Sequence, residues 1–491
     1  MRTLRAAAVV FAALLAAPLV AQDTRSVTEP KLPTRCVTLY ATRTGHAETL
    51  AAKYEATTDT ALIQAALDYC RPGRSVVLET GDKGENAFLT GALTLEDGAV
   101  LVVNKGVTLY GSRDPKDYDP DPTDKTTPLL CGTLSEVSAA YVTAKEAAAG
   151  KPAELPPLAA GRRCRSLLNV TGKNVGVMGM GTIDGRGGAQ VVGHDYTWWQ
   201  MARRAEPKQL RYYSTMLLTA DHADGLVLYQ ITLHNSPNYH VSVRNTDGFT
   251  AWGVHLLTPT VRGTDDRNTD GIDPSSSTNI TIAHSWIDNG DDNIAIKSHV
   301  QHMSVLDNHF YDGHGMSLGS EVAGDAHILV DGLVEDHTTS GIRVKSNAVR
   351  GGPVEDITFR NICMRNTTIP IAISPYYNNG TIESFTDPNV LGPHIPEYKK
   401  IVLDRVTSTT PGDVLIAGKD ADHMTQVTLT AVQVHGITPE QVHAQYDDVT
   451  LGPGPVNFTP AGAGVTVAKV TDRGHLVPIH NCPATVFVPM R

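Results

Sequence analysis

The chain has 491 residues, of which 41% are hydrophobic and 19% charged, and its formal net charge is −11. This is an ordinary globular balance with ample material for a large core, and its sign is opposite to that of a protein that grips nucleic acid through phosphates. Aromatic residues are few (6%) while Gly reaches 43, a composition suited to many short strands joined by turns.

The first segment reads as an export signal. Arg2 and Arg5 form a positive start, and Ala6 to Ala17 is an apolar run too short to span a bilayer comfortably. Cleavage after Ala21 is expected, with Leu19 at the minus-three position larger than usual; a buried first helix is the alternative. Residues 1–21 are therefore set apart as a signal, and the mature chain is expected to be secreted or periplasmic, with no membrane attachment after cleavage. No later stretch reads as transmembrane. Residues 22–35, with Pro30 and Pro33, read as an extended leader ahead of a single domain over 36–491.

Thr58 to Cys70 places Ala61, Leu62, Ala65, Ala66 and Leu67 on one face at helical spacing. One amphipathic helix ahead of many strands suits a cap on the open end of a solenoid, although an ordinary surface helix reads the same way. Residues 132–163, rich in Ala, Glu and Pro, lie between Cys131 and Cys164. Residues 194–215 carry Trp198, Trp199, Tyr212 and Tyr213. Both segments are read as loops or short helices outside the regular body, walling a groove.

From about Asn174 the sequence becomes rhythmic. Short β-rich runs begin near Gly225, Gly248, Asn279, His302, His327, Asp356, Lys400 and Gln426, several of them about 23 to 25 residues apart. Strand repeats of this length without regular helices indicate a parallel β-helix. The six cysteines, Cys36, Cys70, Cys131, Cys164, Cys363 and Cys482, permit disulfides in an exported chain and leave many pairings open. No C-x-x-C pair is present, so a structural zinc site is not expected.

Three polar clusters stand out: Asn268-Thr269-Asp270-Gly271-Ile272-Asp273, Gly290-Asp291-Asp292-Asn293 and Gly313-His314-Gly315. Asp270, Asp292 and His314 are 22 residues apart in succession, one coil of a β-helix per step. Coils stack at roughly 4.8 Å, so these groups should share one face. Arg343-Val344-Lys345 follows, and a period of two sends both cations to the same side. Gathered carboxylates repel and give a fold no stability. Cleaving a glycosidic bond does need them, one protonated for the leaving oxygen and one ionised for water. Turn chemistry or calcium binding would be the competing explanations.

The strings Asn268-Thr269-Asp270, Gly290-Asp291-Asp292, Gly313-His314-Gly315 and Arg343-Val344-Lys345 resemble, in order, the four signature motifs of the polygalacturonases, glycoside hydrolase family 28. The fourth usually carries Ile where Val344 stands. The resemblance implies a right-handed, all-β parallel β-helix and an inverting hydrolase of pectin. It implies Asp291 as general acid, Asp270 and Asp292 as the groups that hold and activate water, and His314 as support for the acid. Arg343 and Lys345 would bind the galacturonate carboxylate, with Tyr377 rather than Tyr376 lining the cleft. Disulfides corresponding to Cys36–Cys70 and Cys131–Cys164 are implied as well, with Cys363 either free or in a third bridge. The implied partner is pectic polysaccharide, met by a monomer without cofactor or metal. Endo action is favoured. Exo action, a rhamnogalacturonan or xylogalacturonan hydrolase, a calcium-dependent pectate lyase and a non-catalytic sugar-binding solenoid are the alternatives.

Overall fold

The repeat is built from corners. In a computed structural model that describes residues 22–46, 49–50, 52–70, 72–137, 161–205, 210–258, 266–377, 392–470 and 477–490, the chain turns at columns of left-handed residues. One column comprises Asn174, Gly225, Gly248, Asn279, His302, His327, Asp356 and Lys400, with φ from 52° to 87°. A second comprises Gln230, Gly253, His284, Asp307, Gly332, Asn361, Arg405 and Ala431. Strand register puts each residue of a column one coil from the next. Gly, Asn, Asp and His adopt this backbone at least cost, which is why they dominate the columns. The rhythm visible in the sequence is largely this first column.

Between corners run short parallel strands. One sheet has eleven strands, a single strand per coil, from Leu93–Leu95 through Ile272–Ser275, Ile294–Ile296, Met316–Leu318, Ser340–Lys345 and Ile369–Ser374 to Val442–Gln445. Two further stacks merge through the long strands Pro353–Arg365, Glu397–Ser408 and Thr425–Val434 into a 22-stranded sheet. Consecutive parallel strands on consecutive faces make a right-handed parallel β-helix. Its core is a set of aliphatic ladders. Ile272, Ile294, Met316, Ile342, Ile371 and Val414 are aligned coil on coil and fully buried. Each such side chain contributes about 1.5–3 kcal/mol by leaving water.

At the N-terminal end, helix Thr60–Tyr69 buries Ile63 and Leu67 in this core. Its Gln64 pairs with the edge strand: the amide accepts from Thr94 N at 2.9 Å and donates to Thr94 O at 2.9 Å. A side-chain amide thus continues the ladder where another strand would otherwise add. Beyond Ala421 the solenoid goes on, with strands Thr425–Val434, Val442–Gln445, Asp447–Leu451 and Thr466–Lys469.

Both described terminal segments run across the coils. In the leader, Asp23 N donates to Ser304 Oγ (2.9 Å), Thr281 donates to the Asp23 carboxylate (2.7 Å), and Tyr229 donates to Glu29 (2.8 Å). At the other terminus, Thr407 donates to His480 O (3.0 Å) and Tyr311 to Val488 O (2.8 Å). Disulfides join Cys36–Cys70, Cys131–Cys164 and Cys363–Cys482, so Cys363 is not free. The expected signal, residues 1–21, and the stretch 138–160 of the first inserted segment lie outside the described residues. The described parts of the two inserted segments meet: Leu134–Val137 pairs antiparallel with Leu210–Tyr212, and the second segment also forms helix Trp198–Ala205.

Candidate active site

The site lies at the N-terminal ends of consecutive strands of the eleven-stranded sheet. Ile272 pairs with Ile294 and Ile294 with Met316, so Asp270, Asp292 and His314, each two residues earlier, occupy equivalent positions on three coils. In the next coil Arg343 pairs with Ser317, while Ile342 and Val344 point into the core. The turns that carry these groups are fixed by buried asparagines. Asn289 donates to Thr269 O (2.8 Å) and Asp292 O (2.9 Å), and Asn293 donates to Asn289 Oδ1 (2.7 Å) while accepting from Gly315 N (2.8 Å). Gly315 is required here: it has φ +81°, and a Cβ would lie 2.0 Å from Ser340 O. His240, buried and pushed down to about 4 by that burial, is neutral and bonds the carbonyls of Thr269 and Asp270 from behind.

Asp270, Asp291, Asp292, His314, Arg343 and Lys345 line a cleft of about 330 Å³ together with Arg203, Tyr239, Arg267, Asn268, Lys297, Glu321, Arg350 and Tyr377. Asp292 is the most heavily engaged. Its Oδ1 accepts from Arg343 (2.8 Å) and Ser317 (2.8 Å), and its Oδ2 from Lys345 (2.7 Å). Burial alone would raise its pKa, but Lys345 and Arg343 outweigh it and hold the carboxyl well below the usual range. Asp291 accepts from the backbone N–H of Asp292 (2.9 Å) and from the backbone and side chain of Asn268 (3.2 and 3.3 Å). His314 Nδ1 lies 3.1 Å from Asp291 and 3.6 Å from Asp292. Burial pushes against both charges, yet the pairing lowers Asp291 to about 2 and raises His314.

Asp270 behaves in the opposite way. Its Oδ1 is buried without a hydrogen-bond partner, and burial together with Asp291 and Asp273 raises it well above an ordinary carboxyl. The repulsion expected to keep one carboxyl protonated therefore falls on Asp270 rather than on Asp291. The sequence spacing could not show this, because it gives no distances to His314, Arg343 or Lys345. A calcium ion is poorly matched to the cluster, since both oxygens of Asp292 are already paired with buried cations.

Tyr377 and Tyr376 diverge. The Tyr377 ring lies against Arg343 and Lys345, 5.9 and 5.1 Å from its centroid. Tyr376 turns away and donates to Lys419 O (2.9 Å). Three cleft residues had no signal of their own in the sequence: Arg203 on the helix of the inserted segment, Arg267 and Arg350. Lys297 donates to Gly319 O (3.1 Å) and lies 3.8 Å from Asp273, and Arg350 holds Glu321 at 3.0 Å.

A parallel β-helix that gathers Asp270, Asp291, Asp292, His314, Arg343 and Lys345 in one cleft has the fold and the groups of a polysaccharide-cleaving enzyme. Residues 160–451 match the family model described as glycosyl hydrolases family 28, and the chain belongs to that family of glycoside hydrolases. It is 34% identical to an endo-polygalacturonase of Pectobacterium carotovorum subsp. carotovorum, over 86% of this chain and 92% of that one. It is 32% identical to a polygalacturonase of Ralstonia solanacearum, over 88% and 85%. Among solved structures, the polygalacturonase from Erwinia carotovora ssp. carotovora superposes with a TM-score of 0.69 at 33% identity, over 86% of this chain and 99% of that one.

Proposed function

We propose that the chain hydrolyses the α-1,4-galacturonosidic bonds of polygalacturonate within the polymer, with inversion at the anomeric carbon. The observation that carries this reading is the alignment of Asp270, Asp292 and His314 on successive coils, with Asp291 beside them and Arg343 and Lys345 on the same face. The relatives named endo-polygalacturonase support the substrate and the internal cut.

Asp291 donates a proton to the glycosidic oxygen, and the C1–O bond breaks. Water attacks C1 from the opposite face and gives its proton to a carboxylate. Asp292, ionised under its two cations, orients that water together with Asp270 and is the acceptor. The proton for Asp291 is stored next to it on His314. An ammonium and a guanidinium carry several donors each, so Lys345 and Arg343 keep donors for a sugar carboxylate while holding Asp292. As that carboxylate binds, it offsets their charge and favours transfer of the proton from His314 to Asp291.

The enzyme acts as a monomer after export, and its three disulfides suit an oxidising compartment. The test is proton NMR of a fresh digest of polygalacturonate. The β anomer should form first, and mixed oligomers should precede short products. An initial α anomer would exclude inversion, and release of only terminal units would exclude endo action.

A further inference from the structure

Asp291 is held by a chain of hydrogen bonds that passes through a residue outside the coils. Tyr239 N donates to Asn238 Oδ1 at 2.9 Å. Asn238 Nδ2 donates to the Tyr212 hydroxyl at 3.1 Å, Tyr212 donates to Asn268 Oδ1 at 2.8 Å, and Asn268 Nδ2 donates to Asp291 Oδ2 at 3.3 Å. The sense of every link follows from the first. A backbone N–H can only donate, so the Asn238 oxygen faces Tyr239 and its amide nitrogen faces Tyr212. The Tyr212 hydroxyl, already accepting, gives its one hydrogen to Asn268, which turns the Asn268 amide nitrogen toward Asp291. All donors point toward the carboxylate, and such chains polarise cooperatively.

We propose that Tyr212 is a positioning residue for the reaction, acting on Asp291 through the side-chain amide of Asn268. Tyr212 belongs to the strand Leu210–Tyr212, which pairs with Leu134–Val137, three residues beyond Cys131 of the Cys131–Cys164 bridge. The inserted segments thus reach the acid by a specific contact. The inference rests on Asp291 being the proton donor.

Without the hydroxyl, nothing holds the Asn268 oxygen away from Asp291. A rotated amide would set a carbonyl against the carboxylate and favour its protonated form. The backbone N–H of Asn268 and that of Asp292 would still bond Asp291. The charged and titratable groups facing Asp291 are His314, Asp292, Lys345, Asp270, Asp273, Tyr377 and Tyr212 itself. None of the first six is altered by a change at Tyr212.

The experiment compares the pH profiles of kcat and kcat/KM on polygalacturonate for wild type, Tyr212→Phe, Tyr213→Phe and Asp291→Asn. Phe keeps the ring and its packing at position 212. Tyr213 is the control, because its buried hydroxyl has no hydrogen-bond partner. Tyr212→Phe should lower kcat roughly tenfold with little change in KM. Its alkaline limb, set by loss of the proton that Asp291 and His314 share, should move upward by roughly half to one pH unit. Tyr213→Phe should show neither effect. A limb and kcat in Tyr212→Phe that match Tyr213→Phe overturn the relay, as does a uniform loss of activity without movement of the limb. Wild-type turnover in Asp291→Asn would instead overturn the donor assignment. An inactive Asp291→Asn beside an unaltered Tyr212→Phe overturns only the relay.

Discussion

Lys345 Nζ lies 2.7 Å from Asp292 Oδ2, and both side chains are almost wholly buried. A carboxylate placed there without its cation would be strongly disfavoured, and breaking a buried pair by removing one partner costs about 3–5 kcal/mol. Lys345→Met should therefore lower the melting temperature as well as kcat/KM on polygalacturonate. The depressed pKa of Asp292 contributes stability at pH values above the ordinary carboxylate range and loses it as pH falls through the folded value. The variant's stability deficit should accordingly shrink in acid. Because the same cations are proposed to read a free carboxylate, wild type should act much more slowly on highly methyl-esterified pectin. Equal rates on the two polymers would count against that role.

The proton donor is tested by Asp291→Asn. Asn is nearly isosteric, and the donors around Asp291 are two backbone N–H groups and the Asn268 amide, so the turn should persist. General acid catalysis typically contributes about 10²–10⁴-fold, and kcat should fall by that order with the far-UV circular dichroism unchanged. A chelator should leave wild-type turnover intact, since no step of the proposed reaction uses a metal. An unsaturated, calcium-dependent product would establish a lyase instead.

Glu335 is fully buried, and both carboxylate oxygens lack a hydrogen-bond partner; burial pushes it up to about 8. Between the unfolded value near 4.5 and this folded value, unfolding releases a proton, so stability falls as pH rises. The slope is about 1.4 kcal/mol per pH unit for one group, and it levels off above pH 8. Glu335→Gln removes this contribution. Its melting temperature relative to wild type should increase steadily from about pH 5 to pH 8. A pH-independent difference would show that Glu335 is ionised in the folded protein.

The Cys363–Cys482 bridge ties the C-terminal strap to strand Pro353–Arg365 across 119 residues of sequence. Disulfides typically stabilise by about 2–4 kcal/mol, more for longer loops, mainly by restricting the unfolded chain. Cys482→Ser should lower the melting temperature and free residues near His480 for proteolysis. It should leave kcat on polygalacturonate unchanged, because Cys363 is on the 22-stranded sheet and not on the sheet that carries the site. A matching loss of kcat would mean that the strap is coupled to the cleft.

The sequence by itself determined the repeat and the face that matters. Left-handed corners favour Gly, Asn, Asp and His, so their recurrence at Gly225, Gly248, Asn279, His302, His327 and Asp356 marks the coils. Equal spacing of 22 residues then places Asp270, Asp292 and His314 on one face, since stacking in a solenoid converts sequence period into proximity. Only the tertiary structure decided the charges. Lys345 and Arg343 close onto Asp292 in the cleft, His314 pairs with Asp291, and Asp270 is left with an unpartnered oxygen. It also brought Tyr212, 56 residues before Asn268, to the Asn268 amide, and Arg203 to the cleft wall. These contacts come from segments that leave the coil. They follow no period, and electrostatic coupling depends on distances of a few ångströms that spacing along a chain does not carry.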